Sequence, residues 1–154
     1  MTKDSFTLRK YFLNTYTPLV ATKDGRAASH AHDILPFVDG SIRREPDLEH
    51  QHPSISCLCR AGKFAPRLRV GDIVGYMTCM GKWGGLPDRH HRLTAVMQAT
   101  VVLPLHEEAA CWYRERGLPL PSNCMVPGNL PKPLGKAVAS KDGGAGWHST
   151  RQGK

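Results

Sequence analysis

Apolar and polar positions alternate most clearly over residues 53–78, PSISCLCRAGKFAPRLRVGDIVGYMT. Ile55, Cys57 and Cys59 alternate with Ser56, Leu58 and Arg60, the period of two that sets one face of a strand against a core. Residues 72–77 repeat the alternation, and Gly71 supplies the turn that starts it. The pattern predicts two buried strands joined by a crossing with four cations, Arg60, Lys63, Arg67 and Arg69, and no acid. Residues 6–16 are rich in β-favouring side chains and predict an earlier strand.

Residues 17–52 predict mostly irregular chain with one apolar cluster at 34–38. Asp39-Gly40-Ser41 reads there as a tight turn between short strands at 35–38 and 41–44. Residues 81–92 predict an exposed loop, and 93–103 a long buried strand that Pro104 breaks. Residues 106–116 carry the strongest helix pattern. Glu107 and Glu108 stand in the first turn, Arg114 and Arg116 in the last, and Gly117 follows as the terminator. Leu105, Ala109 and Trp112, with Tyr113 beside them, form its apolar face at helical spacing. The proline-rich stretch 119–134 predicts an extended surface segment, and the glycine-rich 135–154 a disordered tail. Together these elements predict one α+β domain over 1–134.

Composition narrows the partners. The chain has 154 residues, 40% hydrophobic and 22% charged, which suits one globular domain. Lys and Arg number 21 against 13 Asp and Glu, a net charge of +8, which favours a polyanion such as nucleic acid. A basic surface that merely keeps the protein soluble is the competing explanation. The sequence shows no apolar run of bilayer-spanning length and no charged-then-apolar leader, so the expectation is a cytoplasmic protein without membrane contact. Five cysteines, an odd count, fit reduced thiols in that compartment.

Several groups could carry chemistry. His30 with His32, and His50 with His52, would share a face on a strand and could begin a metal site. Solvated loop histidines are the competing reading, and the expectation is no metal and no other cofactor. Cys57, Cys59 and Cys79 fall on alternating stretches that would bury them as inert core residues. Cys111 stands beside Trp112, and a cysteine could meet His90 or His91 in space. Asp72, just after a turn glycine, is placed to accept local backbone N–H bonds. No phosphate loop and no dinucleotide-binding glycine motif occurs, which argues against nucleotide hydrolysis and dinucleotide redox chemistry. Tyr76, and Trp83 among Lys82, Arg89, His90, His91 and Arg92, give the clearest nucleic-acid signal. A flat ring can stack on an unpaired base while cations hold phosphates. A Trp83 that folds back to cap the fold is the competing reading.

The order strand, basic crossing, Arg69-Val70-Gly71-Asp72-Ile73-Val74-Gly75-Tyr76, apolar strand and acid-start helix resembles the small β-barrel superfamily of PUA, ASCH and EVE domains. Within it the chain is most similar to the nucleotide-modification-associated domains, found beside DNA-modifying enzymes in phages and bacteria, over about residues 6–126. The resemblance implies a bent or closed barrel of about five strands with one helix packed on an opening. It also implies a pocket that takes a modified or extruded base, of DNA more than RNA, in a nucleotide-modification system with a DNA-modification enzyme as a further partner. Carried onto this chain, Ser56, Arg60, Tyr76 and Trp83 would line the base pocket. Lys63, Arg67, Arg69, Lys82, Arg89 and Arg92 would hold phosphates. The alternative is a small enzyme of base or nucleotide modification using His90, His91, Asp72 or a metal at His30 and His32. A protein-interaction adaptor is a third possibility.

Overall fold

Among the described residues three strands and two α-helices make the architecture, which is α+β. The computed structural model describes residues 8–41, 43–57 and 59–130, with the side chains of Arg60 and Ala61 outside that description. The expected tail at 135–154 and the domain boundary at 134 lie outside the described residues, as does the start of the first predicted strand.

Strand β1 (Tyr11–Tyr16) lies parallel to β2 (Ile73–Thr78), and β2 lies antiparallel to β3 (Leu93–Gln98), giving the order β1-β2-β3. The parallel pair needs a long crossover, and residues 17–72 supply it. Gly71, at φ +95°, makes the turn into β2. Asp72 then accepts backbone N–H bonds from Arg69 and Lys10, each 2.9 Å, which ties the entry of β2 to the entry of β1. Those two bonds hold the Asp72 carboxyl below the usual carboxylate range.

One sheet face is covered. Tyr16, Val74 and Tyr76 pack there with Cys59, Phe64 and Leu68 to form the main core. Asn14 is buried among them, and its Nδ2 reaches the Cys59 sulfur at 3.2 Å. The other face is open. Tyr11, Leu13, Leu93 and Val96 are all exposed on it, and among the described residues no further strand lies over it. The expectation of a closed barrel of about five strands is therefore corrected to an open three-stranded sheet.

The correction has a local cause in the stretch read as the first central strand. The Ser56 N–H goes to the Glu45 carboxylate at 2.9 and 3.1 Å rather than to a neighbouring strand. The chain then turns at once, Cys59 N–H to Ser56 O, into a short 3₁₀ turn at Cys59–Gly62. The Glu45 side chain occupies the place of a strand partner. Among the described residues of 35–44 no strand pair forms either; Asp39 instead accepts from the Ser41 N–H at 3.1 Å and from the Glu45 N–H at 3.1 Å.

Helix α1 (Lys23–Ala31) falls in the segment expected to be irregular. Thr22 caps it through a 2.9 Å bond from the Gly25 N–H, and Gly25 and Ala28 are its buried positions. Ala28 joins Leu19 and Val38 in a small second core. Helix α2 (His106–Glu115) forms where the charge pattern placed it. Its end is a Schellman motif: Leu118 N–H to Tyr113 O at 2.9 Å and Gly117 N–H to Arg114 O at 3.0 Å, with Gly117 at φ +63°.

Among the described elements α2 makes no close backbone approach to any strand. It packs instead, through Ala109 and Ala110, on Cys124, Val126 and Leu120 of the chain that follows it. The helix expected on a barrel opening thus stands off the sheet and leaves a gap.

Candidate functional site

That gap is a cavity of about 900 Å³, at the upper end of the range for small-molecule sites. Val74 and Met97 of the sheet form one wall, and Ala109, Trp112 and Tyr113 of α2 the facing one. Residues 52–57 and Asn123 supply a polar side. Residues 99–104 close another, because β3 pairs only as far as β2 extends: Ala99 N–H bonds Asp72 O at 2.8 Å, and 100–103 continue as cavity wall. This is why the strand predicted over 93–103 ends at Gln98.

The polar side is built on enclosed ionisable groups, of which Glu45 comes first. Glu45 accepts from the Ser56 N–H, from Ser56 Oγ at 2.6 Å and from Asn123 Nδ2 at 3.1 Å. Part of Glu45 reaches the surface, yet its carboxylate is enclosed by these partners, and burial pushes it up to about 8. Asn123 is saturated, since Nδ2 also donates to Ser54 O and Oδ1 takes the Ser54 hydroxyl at 2.5 Å. Ser54 and Ser56 therefore face the cavity with fixed orientation. Fully buried Asp47 accepts from Ser122 N–H at 3.0 Å and His50 Nδ1 at 2.8 Å. Buried Arg43 donates through Nη1 to the carbonyls of Ser122 and Asn129, each at 2.9 Å. The hydrogen bonds of these groups bind 39–56 to 121–129 behind the cavity. The signal for them was present: Arg43-Arg44-Glu45-Pro46-Asp47 is a dense charge run in a segment with few apolar residues to hold it together.

The expected site residues separate into groups. Ser56 lines the cavity. Arg60 belongs to the Cys59–Gly62 turn, and its side chain lies outside the described residues. Tyr76 is 1% exposed, with its hydroxyl 3.5 Å from Cys59 Sγ and from Asn14 Nδ2; burial raises its phenol well above the ordinary range. Trp83 is 8% exposed, its indole N–H bonded to Cys79 O at 3.0 Å and its ring edge-on to Phe37 at 6.2 Å. Neither ring presents a free face to a base; Trp83 folds back as a cap.

Lys63, Arg67 and Arg69 are exposed on the crossing whose Ala65, Pro66 and Leu68 line the cavity. Lys82, Arg89 and Arg92 belong to the 81–92 loop, which contributes nothing to the lining, and Arg92 lies over the Phe37 ring at 4.4 Å. The aromatic surface of the cavity comes instead from Trp112, half-buried with Arg116 over its ring at 4.2 Å, and from His52, edge-on to Trp112 at 5.8 Å. Tyr113 fixes that corner through its hydroxyl to His52 O at 2.6 Å, and burial pushes its phenol up to about 12.

The histidine pairs do not converge. His30 stands in the last turn of α1 and His32 caps the helix, so a helical rather than a strand period separates them. His50 is committed to Asp47 and His52 to Trp112. Among the described residues no group of three or more His, Cys, Asp or Glu is arranged to hold a metal. No described helix is long and apolar enough to cross a membrane. Comparison with protein-family models, with curated proteins and with solved structures finds no match.

Proposed function

We propose that this protein binds a nucleobase, modified or swung out of its stack, in the cavity between the sheet and α2, as a nucleic-acid-associated domain of a nucleotide-modification system. The observation that carries the reading is the cavity itself. Apolar walls with an aromatic corner suit the faces of a flat heterocycle, and the oriented Ser54 and Ser56 hydroxyls suit its polar edge. Lys63, Arg67 and Arg69, interleaved with lining residues on a chain of net charge +8, are the phosphate contacts of this scheme. DNA is the favoured polymer, and a DNA-modification enzyme the favoured protein partner.

The test is binding of labelled single- and double-stranded DNA and RNA, with ordinary and modified bases, across a salt series. Retention near physiological salt together with discrimination between bases supports the reading. Thr100→Trp, which places a bulky ring on the exposed part of the lining, then abolishes discrimination while leaving the salt-dependent component. Uniform loss of all binding with salt would mean that net charge acts alone.

A further inference from the structure

On the cavity wall, two side chains 49 positions apart meet: Cys57 Sγ lies 3.3 Å from His106 Nε2. The other ring nitrogen, Nδ1, lies 3.2 Å from the backbone N–H of Met125, which can only donate. Nδ1 is therefore the acceptor, and the neutral imidazole carries its proton on Nε2, directed at sulfur. Burial holds His106 below the ordinary imidazole range, so this neutral tautomer is the form present at pH 7. Of the charged groups around the ring, Glu107 favours its protonation and Arg43 opposes it.

We propose that Cys57 is a nucleophile of the cavity, its thiolate held by the Nε2–H of His106, and that it adds to an electron-poor carbon of a bound heterocycle. The identity of the ring rests on the nucleobase reading; the thiolate does not. His106 acts here as a donor. Nε2 is already protonated and Nδ1 is occupied by Met125, so the ring has no vacant site for the thiol proton, which leaves to solvent. In the addition, the sulfur lone pair forms an S–C bond to the ring carbon. The C=C or C=N π pair moves to the neighbouring ring atom, which takes a proton from water and leaves hydroxide. Nothing is oxidised or reduced, and reversal restores both partners.

Cys59 and Cys124 are unsuited. Cys59 is buried, with its sulfur near Asn14 Nδ2 and the Tyr76 hydroxyl. Cys124 is 4% exposed, its thiol donates to His106 O at 3.5 Å, and burial pushes it up. Cys111 is exposed on α2 and serves as an internal reference. A cysteine meeting His90 or His91 was an option that no local signature in the sequence called for; Nδ1 of His90 is directed to Asp88 O and that of His91 to Thr78 O.

The experiment is alkylation of the intact protein by iodoacetamide from about pH 5 to 9.5, read for each cysteine by peptide mass spectrometry. Cys57 is expected to show an inflection at least one pH unit below that of Cys111. Its thiolate fraction at pH 7 would then be about eightfold that of an ordinary thiol with an inflection near pH 8.5, and its reaction about threefold faster because a less basic thiolate is the weaker nucleophile. His106→Asn, which removes the Nε2 position, returns the inflection to that of Cys111, whereas His106→Gln, which keeps an N–H there, retains part of the shift. A wild-type Cys57 inflection at or above that of Cys111 overturns the proposal whatever the variants do. A pyrimidine nucleoside added in excess should slow alkylation at Cys57 and leave Cys111 unchanged. A lowered inflection without protection would sink the ring assignment and count against the nucleobase reading, while the thiolate stands. Protection with an ordinary inflection would remove the nucleophile and leave the pocket.

Discussion

Arg43 donates to the carbonyl of Ser122 across 79 positions of chain, and both residues are buried. The same Nη1 also reaches Asn129 O, while Nε has no partner among the described residues. Desolvation lowers the guanidinium's proton affinity, but the two carbonyls keep it anchored. One side chain thus fixes the segment that lies beneath α2.

Arg43→Met should destabilise the fold by about 3 kcal/mol, because two buried carbonyls lose a charged donor. Urea unfolding measures it. If the midpoint does not move, the attachment of 121–129 does not depend on this contact.

Glu45 gives a pH signature. Its folded value, about 8, lies above its ordinary value of 4.5, so the folded state binds the proton more tightly. The stabilisation from the neutral form is complete below about pH 4.5 and is lost as pH rises through about 8. Melting temperature should fall across that window, and Glu45→Gln should flatten the fall. Asp72, shifted the other way, adds a loss at low pH that the Gln variant leaves in place.

Trp83→Ala and Trp112→Ala should separate stability from binding. The first empties a buried cap and should cost about 3–5 kcal/mol, with little effect on base discrimination once folded. The second removes half-buried cavity wall and should weaken base binding by about 1–3 kcal/mol. Paired thermal melts and nucleoside titrations decide it, and reversed effects would return the site to the 81–92 loop.

Gly25→Ala should disrupt the seating of α1. A Cβ there would stand 1.7 Å from the backbone oxygen of Leu19, a collision that no rotamer relieves. A loss of about 3 kcal/mol or more is expected, seen as early exchange of the α1 amides.

Helix α2 was legible because its signals are local: acids first, bases last, then Gly117. The Gly71-Asp72 strand start was legible for the same reason. Helix α1 was missed because Lys23–Ala31 buries only Gly25 and Ala28, too small a stripe to show a period. The stretch around Cys57 misled because its alternation is real, while its backbone partner is the Glu45 side chain, eleven residues upstream of Ser56. Of the residues expected around a base, Ser56 lies on the cavity wall, while the aromatic residues that line it are Trp112 and Tyr113, with Tyr76 and Trp83 elsewhere. Which ring faces a cavity depends on where α2 stands relative to the sheet, and no local pattern encodes that distance.

The parallel pairing of β1 with β2 also sets an order of assembly. β2 and β3 can meet as soon as the 81–92 loop closes, whereas β1 has no partner until 17–72 has been made and routed. At roughly 5–20 residues per second, β1 leaves the ribosome several seconds before its neighbour exists. During that interval the backbone of β1 has no strand of its own chain to pair with. A circular permutant that begins between the strands and carries β1 behind α2 would shorten that wait, and nascent-chain folding is where the difference would be seen.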